Sequence, residues 1–271
     1  MAYTTINKST EHFNAKIYTG TGSSQSITGV GFQPDFTWIK QRSGVEQHVL
    51  FDAIRGVQKY IASNTTAAEA TTATTLTAFN SDGFTEGGHG MTGANGSTYA
   101  SWNWKANGAG SSNTDGSITS TVSVNTTSGF SIVKYTGNDT AGATVGHGLG
   151  VKPSMIIFKA LDWTGRWYIY HSTLGATKYM LLNATDISNT ATSFMNNTEP
   201  TSSVFTLGTS GHVNDVSNII AYCFADVQGY SKFGSYTGNG NADGTFVYTG
   251  FKPAFVMIKE TNTAGTDWRM M

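Results

Sequence analysis

The sequence has a single cysteine, Cys223, so no disulfide can form within the chain and a small disulfide-stapled scaffold is excluded. Cys223 sits in the apolar run IIAYCFADV, where a buried thiol fills core space. Charge is scarce as well: 12% of the residues are charged, about half the usual share. The formal net charge is -1, so no field of one sign is expected, and binding to nucleic acid through phosphate neutralisation is not expected either. No apolar run approaches the length of a membrane-spanning helix. Met1 to Gly20 has neither a basic start nor an apolar stretch, so no export leader is expected. Proline occurs four times and there is no Gly-X-Y period, which excludes collagen.

What the chain does have is 32 glycines, 12% aromatic residues, and abundant Thr, Ser and Asn. That mixture points to short strands joined by tight turns, with a polar surface that carries little charge. An internal repeat organises it. The first unit reads AKIYTGTGSSQSITGVGFQPDFTWIKQ, the second SIVKYTGNDTAGATVGHGLGVKPSMIIFKA, and the third KFGSYTGNGNADGTFVYTGFKPAFVMIKE. Each runs from a YTG triplet through a glycine-rich turn to a proline and an apolar run ending in lysine. The equivalent residues are Tyr18, Tyr135 and Tyr236, then Pro34, Pro153 and Pro253, then Lys40, Lys159 and Lys259.

Each repeated core is expected to be a hairpin: the strand at KIYTG, the glycine turn, then the strand DFTWIKQ or SMIIFKA entered through proline, which costs no ladder hydrogen bond at a strand's first residue. Tyr18, Pro34, Trp38, Tyr135, Pro153, Phe158, Tyr236, Pro253 and Ile258 form the expected repeat core. In RWYIYHS, Trp167, Ile169 and His171 fall on one face, and Tyr168 and Tyr170 on the other, as in a strand covered from both sides. Alternation in ASWNWKANG puts Trp102 and Trp104 on one side. VLFDAIRGVQKYIASNTTAAEATT reads as a strand, a turn and a loosely held segment. The expected fold is all-β, with tandem antiparallel β-sandwich repeats of jelly-roll or concanavalin-like type. The expected divisions are an N-terminal arm over 1–14, a candidate attachment segment, a first repeat over 15–128, a second over 129–230, and the start of an incomplete third over 231–271. Residues 108–127, rich in Gly, Ser, Asn and Thr, read as an exposed linker with one short strand at Ile118 to Val124.

Motifs of chemistry are few. No phosphate-binding loop, dinucleotide fingerprint, nucleophile elbow or zinc-protease helix occurs. His12, His48, His89, His147, His171 and His212 are scattered without metal-ligand spacing, so neither a metal nor a cofactor is expected. Asp35, Glu46, Asp52, Asp82, Glu86 and Asp162 form no repeated pair of the kind glycoside hydrolysis needs, and the chain does not read as an enzyme. Asp82 in SDGF and Asp115 in TDGS read as turn formers. Trp163, Arg166, Trp167 and Trp268 lie near polar turns and are candidates for contact with a glycan, with core or interface packing as the plainer alternative. Arg55 and Arg166 are equally suited to pairing with carboxylates between subunits.

Tyr18 to Gly20, Gly31 to Lys40 and Leu50 to Gly56 carry the pattern YTG, GFxPxFxWIK and LFDAIRG. The pattern resembles a domain family of unknown function widespread in virion proteins of marine and cyanobacterial phages. The second unit departs from it at GLGVKPSMIIFK and YHSTLG, and the third keeps GFKPAFVMIK. The resemblance implies a phage virion structural protein, made in the host cytoplasm and carried on the particle as a tail fibre or similar appendage. The implied partners are further copies of the chain, as a homotrimer, other tail or capsid proteins, and a host-surface glycan or receptor. A capsid decoration or head-fibre protein and a glycan-binding adhesin module are the alternatives. The family has no established catalytic or binding residues to carry over.

Overall fold

The computed structural model describes residues 4–271. The first unit contains β1 (Phe13–Thr19), β2 (Gln25–Thr28), β3 (Phe36–Gln41), β4 (His48–Asp52), β5 (Lys59–Ala62), β6 (Ala70–Thr71), β7 (Leu76–Asn80), β8 (Gly83–Glu86) and β9 (Thr98–Trp104). The second follows with β10 (Ser111–Asn113), β11 (Ser120–Asn125), β12 (Phe130–Thr136), β13 (Thr144–Gly146), β14 (Met155–Ala160), β15 (Tyr168–His171), β16 (Lys178–Leu181), β17 (Asn189–Thr190), β18 (Val204–Thr206) and β19 (Asn218–Phe224). Two single-turn helices, α1 (Thr192–Met195) and α2 (Gly211–Asn214), flank β18. The third unit contributes β20 (Met257–Ile258) and β21 (Arg269–Met270).

The two complete units have one topology. The large sheet of the first runs β1-β9-β3-β4-β5-β6, and that of the second runs β12-β19-β14-β15-β16-β17, extended at its edge by β11 and β10. All named pairings are antiparallel. In each unit the last strand, β9 or β19, lies between the first strand and the proline-led one, so the expected hairpin of those two strands does not form: each pairs with the last strand instead. Trp38 stands opposite Trp102, and Ile157 opposite Tyr222. A small sheet covers the outer face of each large one: β2-β8-β7 in the first unit and β13-β18 in the second. The β7–β8 turn is held by the Asp82 carboxylate, which accepts from the amides of Gly29 at 2.9 Å and Gly31 at 2.6 Å. A side chain on Gly83 (φ 141°) would run into the carbonyl of Ile27, so only glycine fits this turn.

Strand alternation sorts the side chains into three cores. Ile39, Val49, Phe51 and Tyr99 point outward against Ile27, Leu76 and Phe84 of the first small sheet. Val133, Ile156, Phe158, Ile219 and Cys223 do the same in the second unit, against Val145, Phe205, Phe194 and Leu207. The inner faces, Phe36, Trp38, Leu50, Ile61 and Trp104 from the first unit and Phe130, Ile157, Trp167, Ile169 and Tyr222 from the second, meet in one shared core. Phe255, Met257, Trp268 and Met270 of the third unit pack against that same core. The units are therefore three sides of a single interior, and their large sheets bury their inner faces on one another.

The arrangement closes on itself. Phe36 packs on Phe130 and Tyr222 of the second unit, with ring centroids 5.8 and 4.4 Å apart. Phe255, the equivalent of Phe36, packs on Phe13 and Trp102 of the first unit at 6.0 and 5.9 Å. Phe13 and Trp102 hold the positions of Phe130 and Tyr222 in their own sheet. One contact thus recurs between first and second units and between third and first.

The all-β expectation of antiparallel sheets holds, as do the faces assigned to Trp102, Trp104, Trp167, Ile169, Tyr168 and Tyr170. Several expectations need correcting. Residues 1–3 of the predicted arm lie outside the described residues; from residue 4 onward the arm packs on the first unit, with Ile6 buried and the His12 carbonyl accepting from the Lys105 amide at 2.9 Å. Repeat one starts with the strand at Phe13, ahead of the expected boundary at 15. The short strand expected at Ile118 to Val124 forms as β11, but the rest of the expected linker over 108–127 also supplies β10, and both join the second large sheet, where Val122 and Ile118 have apolar cover. Of the repeat core, Tyr18, Pro34, Trp38, Tyr135, Pro153 and Phe158 are buried. Tyr236 and Pro253 are exposed and Ile258 is half-buried, since the third unit has neither a small sheet nor a counterpart of β9 over them among the described residues.

Candidate functional site

The repeated lysine and tryptophan meet the preceding unit at a junction that occurs twice. At the first, the Trp167 Nε1–H donates to the carbonyls of Ala62 (3.0 Å) and Thr65 (3.1 Å), the Gly165 amide donates to the Thr66 carbonyl (2.9 Å), and the Glu69 amide donates to the Leu161 carbonyl (2.8 Å). At the second, Trp268 Nε1–H donates to the Leu181 carbonyl (2.8 Å), the Gly265 amide to the Thr185 carbonyl (3.0 Å), and the Ser188 amide to the Thr261 carbonyl (3.2 Å). Ala62 and Leu181 each close the fifth strand of the large sheet in their units. The segment after Ile61, expected to be loosely held, is thus the acceptor half of this junction.

The lysines complete it. Lys159 Nζ donates to the carbonyls of Gly165 (3.0 Å) in its own turn and Thr66 (3.3 Å) across the junction; Lys259 Nζ donates to Thr266 (2.6 Å) and Thr185 (3.4 Å) in the same way. Lys40 donates to the Gly44 and Glu46 carbonyls within its own unit. Lys159 is fully buried with carbonyl partners, and burial draws its ammonium down to about 8.

A buried ionic cluster ties the first unit to the second. Arg55 is paired with Asp52, donates to the Leu50 carbonyl (2.9 Å) and the Tyr222 hydroxyl (3.4 Å), and reaches Glu69 (3.3 Å). The Tyr222 hydroxyl donates to Asp52 at 2.7 Å. Burial alone would lower the Arg55 pKa, but Asp52, Tyr222 and Glu69 outweigh it and hold it up, while burial drives Tyr222 well above its usual range. The carboxylate partners expected for Arg55 from another subunit come from its own unit, Asp52 and Glu69, and only the Tyr222 hydroxyl reaches it from the second unit.

The four candidate glycan residues separate. Trp167 is fully buried with its indole nitrogen committed, so it offers no face to a sugar. Trp268 is half-buried in the second junction. Trp163 and Arg166 lie on the outer side of the second unit. Trp163 stands 5.0 Å from His212, which stacks at 4.5 Å on Tyr168, which stacks at 4.5 Å on Tyr179. All four rings are half-buried, over the buried Phe194. Gly165 passes so close that a Cβ there would press on Trp163 and His212. Arg166 is exposed beside them, 3.1 Å from Asp186. Burial, then Lys159 and Arg166, lower His212 below its usual range; burial, then Tyr179, push Tyr168 up to about 12, so neutral rings make up this platform at pH 7. The sequence did not join His212 or Tyr179 to Trp163: they come from α2 and β16 and adjoin it only through the fold. Among the described residues no group of three His, Cys, Asp or Glu side chains could hold a metal ion, and no helix is long and apolar enough to cross a membrane.

Residues 8–271 match a family described as "Domain of unknown function (DUF7483)". The chain belongs to this family. The match takes in all three units, so the ring of repeats lies within the family's domain. Neither the curated proteins nor the solved structures contain a match to the chain.

Proposed function

We propose that the chain is a structural subunit of a phage surface appendage, a tail fibre or a comparable part of the virion, built of antiparallel β-sandwich repeats and acting in assembly rather than in catalysis. The observation that carries this reading is the junction itself. Tryptophan, glycine and lysine fasten each unit to the one before by the same bonds at Ala62 and Thr66 and again at Leu181 and Thr185. Machinery that repeats in this way serves to build an extended or closed scaffold. The low charge and the motif resemblance agree with a scaffold held in a particle. Its partners are then other tail or capsid proteins and further copies of the chain; a homotrimer of whole chains is distinct from the three-unit ring inside one chain and is checked by light scattering. The deciding experiment is immunogold electron microscopy of phage particles whose genome encodes the chain. Label on the appendage supports the reading, label on the head assigns the chain to decoration of the capsid, and unlabelled particles overturn it.

A second reading, glycan attachment, rests on the outer ring stack. Trp163, His212, Tyr168 and Tyr179 form a half-buried aromatic surface with Arg166 at its side. Neutral rings beside a guanidinium suit the apolar face and hydroxyls of a sugar. A glycan array probed with the chain and with Trp163→Ala tests it: binding that disappears in the variant supports attachment, and binding that survives removes this surface from consideration.

A further inference from the structure

We propose that the first unit holds one calcium ion between the side-chain oxygens of Gln25, Glu86 and Thr92, at a place that the second unit fills with apolar side chains. The two units match here bond for bond. The Tyr18 hydroxyl donates to the Thr92 carbonyl at 2.7 Å and the Gly22 amide to the Gly93 carbonyl at 2.8 Å; Tyr135 donates to Val213 and Asp139 to Asn214 at the same two distances. Ile27 stands opposite Phe84, and Val145 opposite Phe205. Gln25, Glu86 and Thr92 are therefore the counterparts of Ala143, Leu207 and Val213, three buried members of the second unit's outer core. Each polar replacement leaves a buried oxygen without a hydrogen-bond partner among the described residues: Gln25 Oε1, Glu86 Oε1 and Thr92 Oγ1. Glu86 and Thr92 are fully buried, and Gln25 and Glu86 are directly opposed across β2 and β8, so their side chains rise on one face.

The position beside Thr92 shows what the carboxylate calls for. A side chain on Gly93 would run into the Glu86 carboxylate, so this carboxylate occupies the space that the Asn214 side chain takes in the second unit. Asn214 Oδ1 accepts from the Asn138 amide at 3.0 Å, and its Nδ2 donates to the carbonyls of Thr140 (3.0 Å) and Gly208 (2.7 Å). The corresponding carbonyls of the first unit are those of Ser23 and Gly87, and the group set among them is a carboxylate, which donates nothing. Glu86 keeps one bond, from the Gly88 amide to Oε2 at 2.6 Å, and no cation of the described residues pairs with it. A buried carboxylate among oxygens needs a positive centre between them. Ligands that are all oxygen select a hard cation. Calcium accepts neutral amide, hydroxyl and carbonyl oxygens in an irregular shell, whereas magnesium demands an octahedron and keeps its water. With a single carboxylate the site differs from a group of three acidic or imidazole ligands, and its affinity is modest.

The three oxygens are closed to solvent, so the ion enters as the unit folds, and the test refolds the whole chain from urea in calcium chloride or in EDTA. Calcium should raise the thermal midpoint above that in EDTA, saturably, with a half-point on the order of 0.1–1 mM as in sites of low ligand charge. Chain refolded with terbium chloride should luminesce on excitation of tyrosine, because Tyr18 is bonded to Thr92, and excess calcium should remove the signal. Glu86→Gln sets an amide where the second unit has that of Asn214 and should abolish both responses. The triple variant Gln25→Ala, Glu86→Leu and Thr92→Val copies the second unit and should do the same, which keeps the comparison open if Glu86→Gln does not fold. A midpoint equal in calcium and in EDTA overturns the proposal and leaves Glu86 to carry a proton instead. A rise that sodium or magnesium gives equally, or that Glu86→Gln retains, overturns it as well.

Discussion

The indole nitrogen of Trp167 donates across the first junction to the carbonyl of Ala62, the last residue of the fifth strand in the neighbouring sheet. Trp268 repeats the relationship with Leu181. Burying an indole is favourable by its apolar area but requires a partner for its N–H, and a strand-end carbonyl freed from the ladder supplies one. The second and third units thereby satisfy at the unit before them the indole N–H that each buries.

Replacing Trp167 with alanine removes a fully buried ring and two hydrogen bonds. It should destabilise the chain by roughly 3–5 kcal/mol. Trp268→Ala, at a half-buried site with one such bond, should cost clearly less. Urea denaturation midpoints of the two variants measure the difference, and equal costs would contradict the burial.

The Asp52, Arg55 and Tyr222 cluster predicts unequal penalties. Asp52→Asn leaves the buried guanidinium without its closest counter-charge and should cost roughly 3–5 kcal/mol. Tyr222→Phe removes a hydroxyl bonded to Asp52 and Arg55 and should cost about 1–2 kcal/mol. A double-mutant cycle between them should show coupling, because both act on the same carboxylate oxygen.

Much of the fold was legible because strand alternation was clean. ASWNW and WYIYH announced which faces were buried, and the prolines marked where the central strands begin. What was not legible is where a face finds its cover. The apolar runs FTWIKQ, MIIFKA and VMIKE read as parts of three separate cores, yet Phe36, Ile157 and Met257 within them meet in one interior. Periodicity reports that a face is buried and carries no information on which sheet buries it. For the same reason Trp167 looked like a candidate surface residue beside a polar turn, whereas the turn is itself covered by Thr65 and Thr66. The repeated lysine at the end of each apolar run was the available signal, since a strand that ends on a cation in all three units has to give it carbonyl partners.

Equivalent tyrosines should not be energetically equivalent. The Tyr135 hydroxyl, buried, donates to the Val213 carbonyl at 2.7 Å, and the Tyr18 hydroxyl to the Thr92 carbonyl at 2.7 Å. Phenylalanine at either position leaves a buried carbonyl short of a partner and should cost about 1–2 kcal/mol. Tyr236→Phe, at an exposed position, should stay within about 0.5 kcal/mol of the parent. Thermal or urea unfolding of the three single variants checks the order.

Acid should weaken the fold through His147. The ring is fully buried, its Nδ1 accepts from the Leu149 amide at 3.2 Å, and its Nε2 lies 3.3 Å from the Thr201 carbonyl, which fits a neutral ring protonated at Nε2. Burial holds its pKa down to about 4, below the ordinary 6.5. Between those values the unfolded chain binds a proton that the folded chain refuses, so stability falls as pH drops from 6.5 toward 4 and is constant in this respect above 6.5. The loss is of the order of 3 kcal/mol at most. His48, also held at about 4 by burial and then by Lys40, adds to it in the same window. His147→Gln keeps one donor and one acceptor without titrating, so its stability should respond less to acid. Urea unfolding of both proteins at neutral pH and at about pH 4.5 should show the gap between parent and variant narrowing as the pH falls; a gap that holds constant would mean that the imidazole takes up its proton in the folded chain at an ordinary pH.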